Sequence, residues 1–312
     1  MEKKVLITPK SFKAYKDKAF KMLIEAGYTP VINEYNRTLT EEEMIEMSEE
    51  VEGILIGIDP ITSKVLQRAK NLKAISKYGS GLDNIDLEKA EELNIKVRKA
   101  LGANSISVAE LAVGLMFSLA RSIPLSAAST KNNGWDRKMG VELAGKTAGV
   151  LGGGYIGREF AKRAVGLGMK VIIYDPYFND EAFLKQYDVK LLSFDEVIET
   201  SDFISLHLPL GKDTMHIMNE SVFKRMKNTS YMINTSRGEL VDEEALYNAL
   251  INGEIAGAAQ DVFSSEPPKG DEKLLKLDNF ILTSHIGAFT KESVEKMVLI
   301  ATQNLIDMLT EK

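Results

Sequence analysis

The sequence contains only three histidines, so few residues could exchange a proton near neutral pH. His207 follows the apolar run in SLHLPLG, His216 lies in TMHIMN, and His285 follows the run in ILTSHIGAF. In open α/β sheets, ligands bind outside the carboxyl ends of the strands. His207 and His285 are therefore suitably placed for chemistry, whereas His216 is predicted to be a surface residue.

Two further polar residues follow apolar runs in the same way, Arg237 after SYMINTS and Glu266 after AAQDVF. Hydride transfer to or from a 2-hydroxy acid needs a cation for the carboxylate, a group that exchanges the hydroxyl proton, and a partner that tunes this group. Arginine binds carboxylate and carbonyl oxygens with directional bonds. Histidine exchanges protons near neutral pH, and a nearby carboxylate raises its pKa. Arg237, His285 and Glu266 match these parts, although each alone is more often structural.

A glycine-rich turn stands between an apolar run and a helical pattern in TAGVLGGGYIGREFAKRAVGLGMKVIIYD. Gly152 permits the tight turn, Gly154 lets the backbone approach a pyrophosphate, and Gly157 allows close packing of helix on strand. The amides near Tyr155 and Ile156 would face phosphate oxygens at the positive end of the helix dipole. Three glycines alone are a weak signal, but strand, glycines and helix together predict a dinucleotide site.

Asp175 stands eighteen residues after Gly157, at the end of the next apolar run. A carboxylate there can accept hydrogen bonds from the adenosine ribose hydroxyls and would repel a 2'-phosphate. No arginine follows in DPYFND, so NAD is predicted rather than NADP. The alternative is that Asp175 is an ordinary turn residue before Pro176.

The elements that must position these residues follow an alternating pattern of short β-branched runs and helical segments. This pattern is typical of parallel sheets with crossover helices and predicts an α/β fold of two lobes. In the first lobe we predict strands at Val5 to Thr8, Gly53 to Ile58 and Leu72 to Ser76, and a helix at Lys16 to Ala26. In the second lobe we predict a doubly wound sheet from six runs, TAGVLG, MKVIIYD, DFISLHLP, SYMINTS, IAGAAQDVF and NFILTSH, with Thr290 to Leu309 as a final helix.

A long apolar helix is predicted between the two patterns. Ser107 and Glu110 have the spacing of a capping box, and the segment SVAELAVGLMFSLAR that they open is apolar on more than one face. Such a helix must be buried nearly all round. A pivot between lobes, a subunit interface or simple core burial would each bury it.

Composition limits the function classes. The 312 residues fit two domains, and 44% hydrophobic with 27% charged residues indicates a globular chain. A formal net charge of -6 argues against nucleic acid or an anionic membrane as partner. The chain has no cysteine, and the start MEKKVLITP shows no signal peptide. We therefore expect a cytoplasmic protein without a metal site.

The sequence resembles the D-2-hydroxyacid dehydrogenases over essentially its whole length, and looks most like their phosphoglycerate dehydrogenase branch. The motifs that carry the resemblance are KYGSGLDNID at 77–86, NSISVAELAVGLMFSLAR at 104–121, GWDRKMGVELAGKTAGVLGGGYIGREFAKR at 134–163, INTSRGELVDEEAL at 233–246, AAQDVFSSEPP at 258–268 and TSHIGAFT at 283–290.

The resemblance implies a role for each of several residues. Arg237, Glu266 and His285 would be the catalytic set, with Arg237 also binding substrate. The backbone of Tyr78, Gly79, Ser80 and Gly81 would help to hold the substrate carboxylate. Asp261 would face the nicotinamide ring, and the other cofactor contacts would come from His207, Pro209 and Thr235.

The resemblance also implies the domain organisation. Residues 1–99 and 288–312 would form a smaller flavodoxin-like substrate lobe, and residues 100–287 a Rossmann-type lobe that binds NAD. Relatives usually pair through the long helix, which implies a homodimer through the 107–121 region.

The sequence departs from the phosphoglycerate branch in one loop. That branch usually has an arginine after the strand that reads GILIGIDP here, where this chain has Gly57, Ile58 and Asp59. The usual proline after the 95–99 strand is replaced by Leu101. Basic residues that could compensate are Lys77, Arg98, Lys99, Arg137 and Lys138. D-3-phosphoglycerate is favoured weakly over an unphosphorylated acid such as glyoxylate or hydroxypyruvate.

Two other functions fit a protein of this fold. Formate and phosphite dehydrogenases share the fold, and Glu266 argues against the formate type, which resembles the family but carries glutamine there. A non-catalytic, NAD-sensing interaction protein is the alternative from a different class, and turnover of 2-oxo acids would distinguish it from an enzyme.

Overall fold

The computed structural model describes residues 2–311, which form two compact α/β units. The first unit runs to Asn104 and is completed from Ala288 onward, and the second is Ser105–Gly287. The sequence predicts these boundaries after residues 99 and 287. In the structure Ala100 and Ala103 are still buried in the core of the first unit, which explains why that unit extends to Asn104.

The first unit is built on a five-stranded parallel sheet of order β2-β1-β3-β4-β5. This is the flavodoxin-like order, in which ligands bind at the carboxyl edge. Its strands are β1 (Lys4–Ile7), β2 (Thr29–Ile32), β3 (Val51–Ile56), β4 (Ala74–Lys77) and β5 (Lys96–Lys99). Its helices are α1 (Lys16–Glu25), α2 (Glu41–Ser48), α3 (Ser63–Arg68), α4 (Leu87–Glu92) and the final helix α12 (Lys291–Thr310).

The final helix α12 supplies part of the core of the first unit. Thr290 caps it by accepting a hydrogen bond from the Ser293 amide. Val298, Ala301 and Leu305 are fully buried in one cluster with β1 and β3 residues such as Val5 and Leu55. The predicted helix over residues 290–309 is thus present, shifted by one residue.

The second unit is built on a seven-stranded parallel sheet of order β12-β11-β10-β9-β6-β7-β8. The order reverses between β6 and β9, which is where doubly wound sheets bind dinucleotides. Its strands are β6 (Thr147–Leu151), β7 (Lys170–Tyr174), β8 (Lys190–Leu191), β9 (Phe203–Leu206), β10 (Tyr231–Asn234), β11 (Gly257–Gln260) and β12 (Phe280–Leu282). Its helices are α5 (Ser105–Ala120), α6 (Ile123–Lys131), α7 (Tyr155–Gly166), α8 (Glu181–Tyr187), α9 (Phe194–Thr200), α10 (Glu220–Phe223) and α11 (Glu243–Ile251). The predicted fold class, a doubly wound Rossmann-type sheet with a smaller flavodoxin-like lobe, is confirmed.

The start of α5 differs from the sequence prediction. The helix begins at Ser105, so Ser107 lies inside it and the predicted capping box is wrong. The Ser107 hydroxyl instead donates to the Gly287 carbonyl oxygen. Glu110 pairs with Arg163 at 2.8 Å. Both side chains stabilise tertiary contacts rather than the helix end.

The burial of α5 is incomplete within the single chain. One face packs against the second unit's core through residues such as Ala112 and Met116. The opposite face stays exposed within the single chain at Ile106, Gly114 and Phe117. Burial nearly all round is therefore not reached by this chain alone.

Two general features of the described chain bear on function. No single helix in residues 2–311 is long and apolar enough to cross a membrane. Helices α5 and α6 together have the length and apolar composition, but the pair is bent by 66° at its junction. Over the same residues, no group of three or more His, Asp or Glu side chains is arranged to hold a metal ion.

Candidate active site

The glycine turn between β6 and α7 has the geometry of a phosphate cradle. Gly152 has a φ of 101°, which favours glycine, and a Cβ there would lie 2.6 Å from the His207 carbonyl oxygen. A Cβ on Gly157 would lie 1.9 Å from the Gly152 carbonyl oxygen, so the helix packs directly on the turn. A Cβ on Gly154 would meet no atom within 4 Å. The turn therefore has no room for a side chain at Gly152 and Gly157 and has open space beside Gly154.

The first turn of α7 presents amides without a capping side chain. Gly154 is the N-cap residue and makes no side-chain capping bond, and Tyr155 and Ile156 open the helix. Because the N-terminus of a helix carries a partial positive charge and unsatisfied N–H groups, this position suits an anion.

Asp175 follows β7 beside the turn. Its carboxylate accepts hydrogen bonds from the Gly153 amide at 2.8 Å and the Tyr177 amide at 2.9 Å. Arg158, the nearest guanidinium on α7, donates to the Gly153 carbonyl oxygen and pairs with Asp180 at 2.7 Å. Asp175 thus both fixes the turn and presents the carboxylate predicted for the ribose, and Arg158 is already neutralised.

Arg237 is positioned by a side chain that sequence reasoning missed. Asn234, buried at the end of β10, donates from Nδ2 to the Arg237 carbonyl oxygen at 2.8 Å. Its Oδ1 accepts from the Ser236 amide at 3.0 Å. These bonds fix the turn that carries the guanidinium at the carboxyl edge of the sheet. Asparagine at a strand end often forms such turns, so the signal was present in INTSR.

Glu266 and His285 form a hydrogen-bonded pair. His285 Nδ1 lies 2.7 Å from Glu266 Oε2, and the Phe263 amide donates to Glu266 Oε1 at 2.9 Å. The hydrogen bond from Glu266 raises the pKa of His285 above its usual value against the opposing effect of burial. Burial opposes ionisation of Glu266, but bonds from His285 and Phe263 lower its pKa overall. The Arg237 charge acts on both groups, so the three predicted catalytic residues lie together.

The His285 backbone is held in an unusual conformation by a buried carboxylate. His285 has a φ of 54°, in the left-handed region. Asp261, 1% exposed, accepts from the Ile286 amide at 3.0 Å and the Gly287 amide at 2.7 Å, and also from the Thr283 hydroxyl. Asp261 therefore fixes the loop on both sides of His285. Its predicted contact with the nicotinamide stays a prediction.

His207 is not placed for proton exchange. Its Nε2 bonds to the Ser205 hydroxyl at 2.9 Å, and its ring lies 5.2 Å from that of Phe160. Burial lowers the pKa of His207 to about 3, so the ring is neutral near pH 7. His216 is exposed, as the sequence predicts. Of the three histidines, only His285 has an acidic partner in residues 2–311.

The other predicted contacts lie in two places. Thr235 and Pro209 follow β10 and β9 at the carboxyl edge of the second sheet. Tyr78 to Gly81 follow β4 in the first unit, where Gly79 has a φ of 127°. Within residues 2–311 the amides of Gly79, Ser80 and Gly81 have no hydrogen-bond partner, which leaves them available to an anion.

The residues of the second unit fit a dinucleotide. Thr235 Oγ1 and His207 Nδ1 are buried without hydrogen-bond partners in the described chain, and both lie at the ligand-binding edge of the sheet. Buried polar atoms rarely stay unsatisfied. Together with the open amides of the glycine turn and the Asp175 carboxylate, these atoms define the class of protein as a dinucleotide-binding protein of the doubly wound type.

Comparison with known proteins gives the family. Residues 113–287 match the sequence profile described as D-isomer specific 2-hydroxyacid dehydrogenase, NAD binding domain. The chain belongs to this family, and the cofactor of the matched domain is NAD.

Three similar proteins illustrate the range of the family. A D-3-phosphoglycerate dehydrogenase from Archaeoglobus fulgidus is 42% identical over 273 residues, 86% of this chain and 52% of that protein. A hydroxypyruvate reductase from Thermotoga maritima is 42% identical over 264 residues, 83% of this chain and 85% of that protein. The NAD+-bound 3-phosphoglycerate dehydrogenase of Entamoeba histolytica has a TM-score of 0.84 at 27% identity, covering 100% of this chain and 96% of that one. The chain spans about half the length of the phosphoglycerate dehydrogenases it matches in sequence.

Proposed function

We propose that the protein is an NAD-dependent oxidoreductase that interconverts a D-2-hydroxy acid and a 2-oxo acid. The observation that carries the proposal is the Glu266–His285 pair beside Arg237, at the carboxyl edge of the dinucleotide-binding sheet. A phosphate turn alone is compatible with many functions, whereas a histidine with a raised pKa next to a guanidinium suits acid–base chemistry on a carboxylate substrate.

The chain's own residues divide the chemistry between them. The amides of the glycine turn and the Asp175 carboxylate would hold the cofactor, which in its reduced form would supply a hydride to the carbonyl carbon. Arg237 binds and orients the substrate carboxylate by charge-assisted hydrogen bonds. His285 Nδ1 is engaged by Glu266, so its Nε2 donates the proton to the developing alkoxide. Glu266 keeps His285 protonated before the transfer, and in the oxidative direction His285 accepts the proton back.

A separate anion-binding position is proposed in the first unit, at Gly79 to Gly81. Their amides have no partner in residues 2–311, and the left-handed Gly79 leaves the backbone bare of side-chain bulk. We assign these amides the binding of an anion within the first unit.

For the substrate, we propose an unphosphorylated 2-oxo acid rather than phosphoglycerate. In the loop after β3, the buried Asp59 accepts from the Leu39 amide at 2.8 Å and from the Thr8 hydroxyl, while Ile58 is 69% exposed. The loop that carries an arginine in the phosphoglycerate branch therefore presents an apolar side chain here. An apolar side chain gives a phosphate dianion no counter-charge.

The basic residues that could compensate are mostly engaged. Lys77 is buried, and its Nζ donates to the Gly57 carbonyl oxygen at 2.6 Å. Arg98 pairs with Glu311 at 2.7 Å, and Lys138 with Asp278 at 3.0 Å. The similarity to a hydroxypyruvate reductase over 85% of its length supports the same choice.

Turnover of a substrate panel tests both proposals. NADH oxidation is followed with glyoxylate, hydroxypyruvate and 3-phosphohydroxypyruvate, in the wild type and in Ile58→Arg. We expect turnover of an unphosphorylated acid, and a gain on the phosphorylated one only in Ile58→Arg. Binding of NADH without turnover of any 2-oxo acid would favour the non-catalytic, NAD-sensing alternative. A wild-type preference for the phosphorylated acid would overturn the substrate assignment alone.

We also propose that the protein is a homodimer that pairs through the α5 region. The outer face of α5 exposes Ile106 and Phe117, and the adjoining segments expose Ile123, Trp135 and Met139. Clustered apolar exposure of this extent is typical of a protein interface.

A further inference from the structure

We propose that Glu243 is a positioning residue that fixes the loop carrying Glu266, and through it the proton affinity of His285. The inference rests on the proposed function, because it extends the role of the same catalytic pair. It starts from a contact between two segments, residues 237–243 and residues 263–266.

The contact is a two-pronged hydrogen bond between side chain and loop. Glu243 Oε1 accepts from the Ser264 amide at 2.8 Å, and Oε2 accepts from the Ser264 hydroxyl at 2.7 Å. Both oxygens of one carboxylate therefore hold one residue of the loop, twenty-one positions along the chain. Bonds to an ionised acceptor are stronger than neutral ones.

Few side-chain hydrogen bonds hold the exposed residues of the loop. Phe263 is buried, but Ser264, Ser265 and Glu266 are exposed. Within residues 2–311, Glu266 itself bonds only to the Phe263 amide and to His285. The Glu243 carboxylate thus links this exposed stretch to helix α11. The link is at Ser264, two residues before Glu266.

The loop also rests on the segment that carries Arg237. A Cβ on Gly238 would lie 2.1 Å from the Phe263 carbonyl carbon and 2.3 Å from the Ser264 nitrogen. The two backbones are therefore in direct contact one residue after Arg237. Glu243 is the first residue of α11 and lies five residues after Gly238. Its bonds to Ser264 add a side-chain contact beside this backbone contact.

The surroundings of Glu243 shift its pKa upward from its usual value. Burial, together with Glu272 and Glu239, raises the pKa of Glu243, against the lowering effect of the Ser264 bonds. The groups that face His285 are Glu266, Asp261 and Arg237. Glu243 is not among them, so it acts on His285 through the position of Glu266.

The variants separate this role from simple stability. Glu243→Ala removes both bonds, Glu243→Gln can still accept from the Ser264 amide and donate to its hydroxyl, and Ser264→Ala removes one bond. Glu244→Ala is the matched control, because Glu244 is exposed on the same helix and its pairing with Lys273 is long at 3.5 Å. All four are compared with wild type for melting temperature and NADH affinity.

The readout is the pKa of His285, measured by NMR titration of the three histidine side chains in the intact protein, with His285→Ala used for assignment. We expect the His285 pKa to lie above 6.5 in wild type, to fall toward that value in Glu243→Ala, and to be restored in Glu243→Gln. Ser264→Ala should be intermediate and Glu244→Ala unchanged.

Turnover is a second readout, measured independently of the NMR titration. For the 2-oxo acid that the enzyme reduces, kcat should fall about tenfold in Glu243→Ala with NADH affinity unchanged. An unshifted His285 pKa in Glu243→Ala, or an equal shift in Glu244→Ala, would overturn the inference. If no 2-oxo acid is turned over, the proposed function fails while the titration still decides the role of Glu243. If Glu243→Ala does not fold, Ser264→Ala decides it.

Discussion

His285 combines two features that are rarely found in one residue. Its backbone is left-handed, and its side chain is hydrogen bonded to a carboxylate. A non-glycine residue in that conformation costs free energy, and it persists where the surrounding structure fixes it. Asp261 provides that support through the two amides that follow His285. At the scale of single residues, the proposed proton donor therefore carries a strained backbone conformation.

Replacing His285 by alanine tests its role directly. His285→Ala should bind NADH with unchanged affinity but lose reduction of 2-oxo acids by about 10² to 10⁴-fold, because the alkoxide has no proton donor. Fluorescence titration with NADH and initial rates measure the two effects. Retained turnover would remove His285 from proton transfer.

The pH dependence follows from the raised pKa of His285. Reduction needs protonated His285, so the rate should be constant at low pH and fall as pH rises through the raised pKa. Oxidation needs the neutral form and should rise over the same interval.

The Glu266→Gln variant removes the cause of the shift. The fall of the reduction rate and the rise of the oxidation rate should then both move to lower pH, because the hydrogen bond and charge of Glu266 no longer favour the imidazolium. Profiles of kcat/KM in both directions measure the change. If both rates still change at the wild-type pH, another group controls them.

At the scale of elements, the glycine turn joins β6 to α7. Backbone atoms leave no room for a side chain at Gly152 and Gly157, whereas Gly154 has open space beside it. Gly157→Ala would force a Cβ into the Gly152 carbonyl oxygen, and we expect about 1–3 kcal/mol of lost stability together with weaker NADH binding.

Gly154→Ala is the contrasting variant at the same turn. The chain has room for its Cβ, so the melting temperature should stay unchanged while NADH affinity falls, since the methyl group occupies the space above the amides. Thermal melts and NADH titrations of both variants separate the two effects. Full NADH affinity in Gly154→Ala would place the pyrophosphate elsewhere.

The elements that the sequence predicts well are those with a strong local pattern. The six runs of the second lobe all contain strands, because central parallel strands are buried on both faces and read as continuous apolar runs. The edge strands β2 and β8 are missed, since β2 contains Pro30 and is only partly buried, while β8 has two exposed residues.

The limits of prediction at the site have a similar cause. Arg237, Glu266 and His285 could be predicted because each follows a strand and matches a motif. The supporting contacts could not, because Glu243 and Ser264 meet across twenty-one residues, and Ser107 has a capping-box spacing that its contact with Gly287 overrides. Local spacing does not show which distant backbone a side chain will reach.

At the scale of the whole molecule, the outer face of α5 is an apolar surface that the single chain leaves uncovered. Phe117 is 36% exposed in the single chain, on a helix predicted to be buried all round. A second copy is the occupant that we propose for this face.

The oligomeric state tests this assignment. Sedimentation or light scattering should give twice the chain mass for wild type, and Phe117→Glu should give the monomer, because a carboxylate is costly to bury in an apolar interface. NADH binding should survive the substitution, since the glycine turn is intact. A monomeric wild type would contradict the proposed pairing.

The return of α12 to the first unit has a consequence for biosynthesis. Val298, Ala301 and Leu305, with other residues of α12, complete a core whose remaining members are made before residue 104. As the ribosome works from the amino end, Ser105–Gly287 emerges entire while its neighbour still lacks this helix. Truncation ahead of Lys291 should therefore leave an exposed apolar surface, prone to chaperone capture, on an otherwise folded nascent polypeptide.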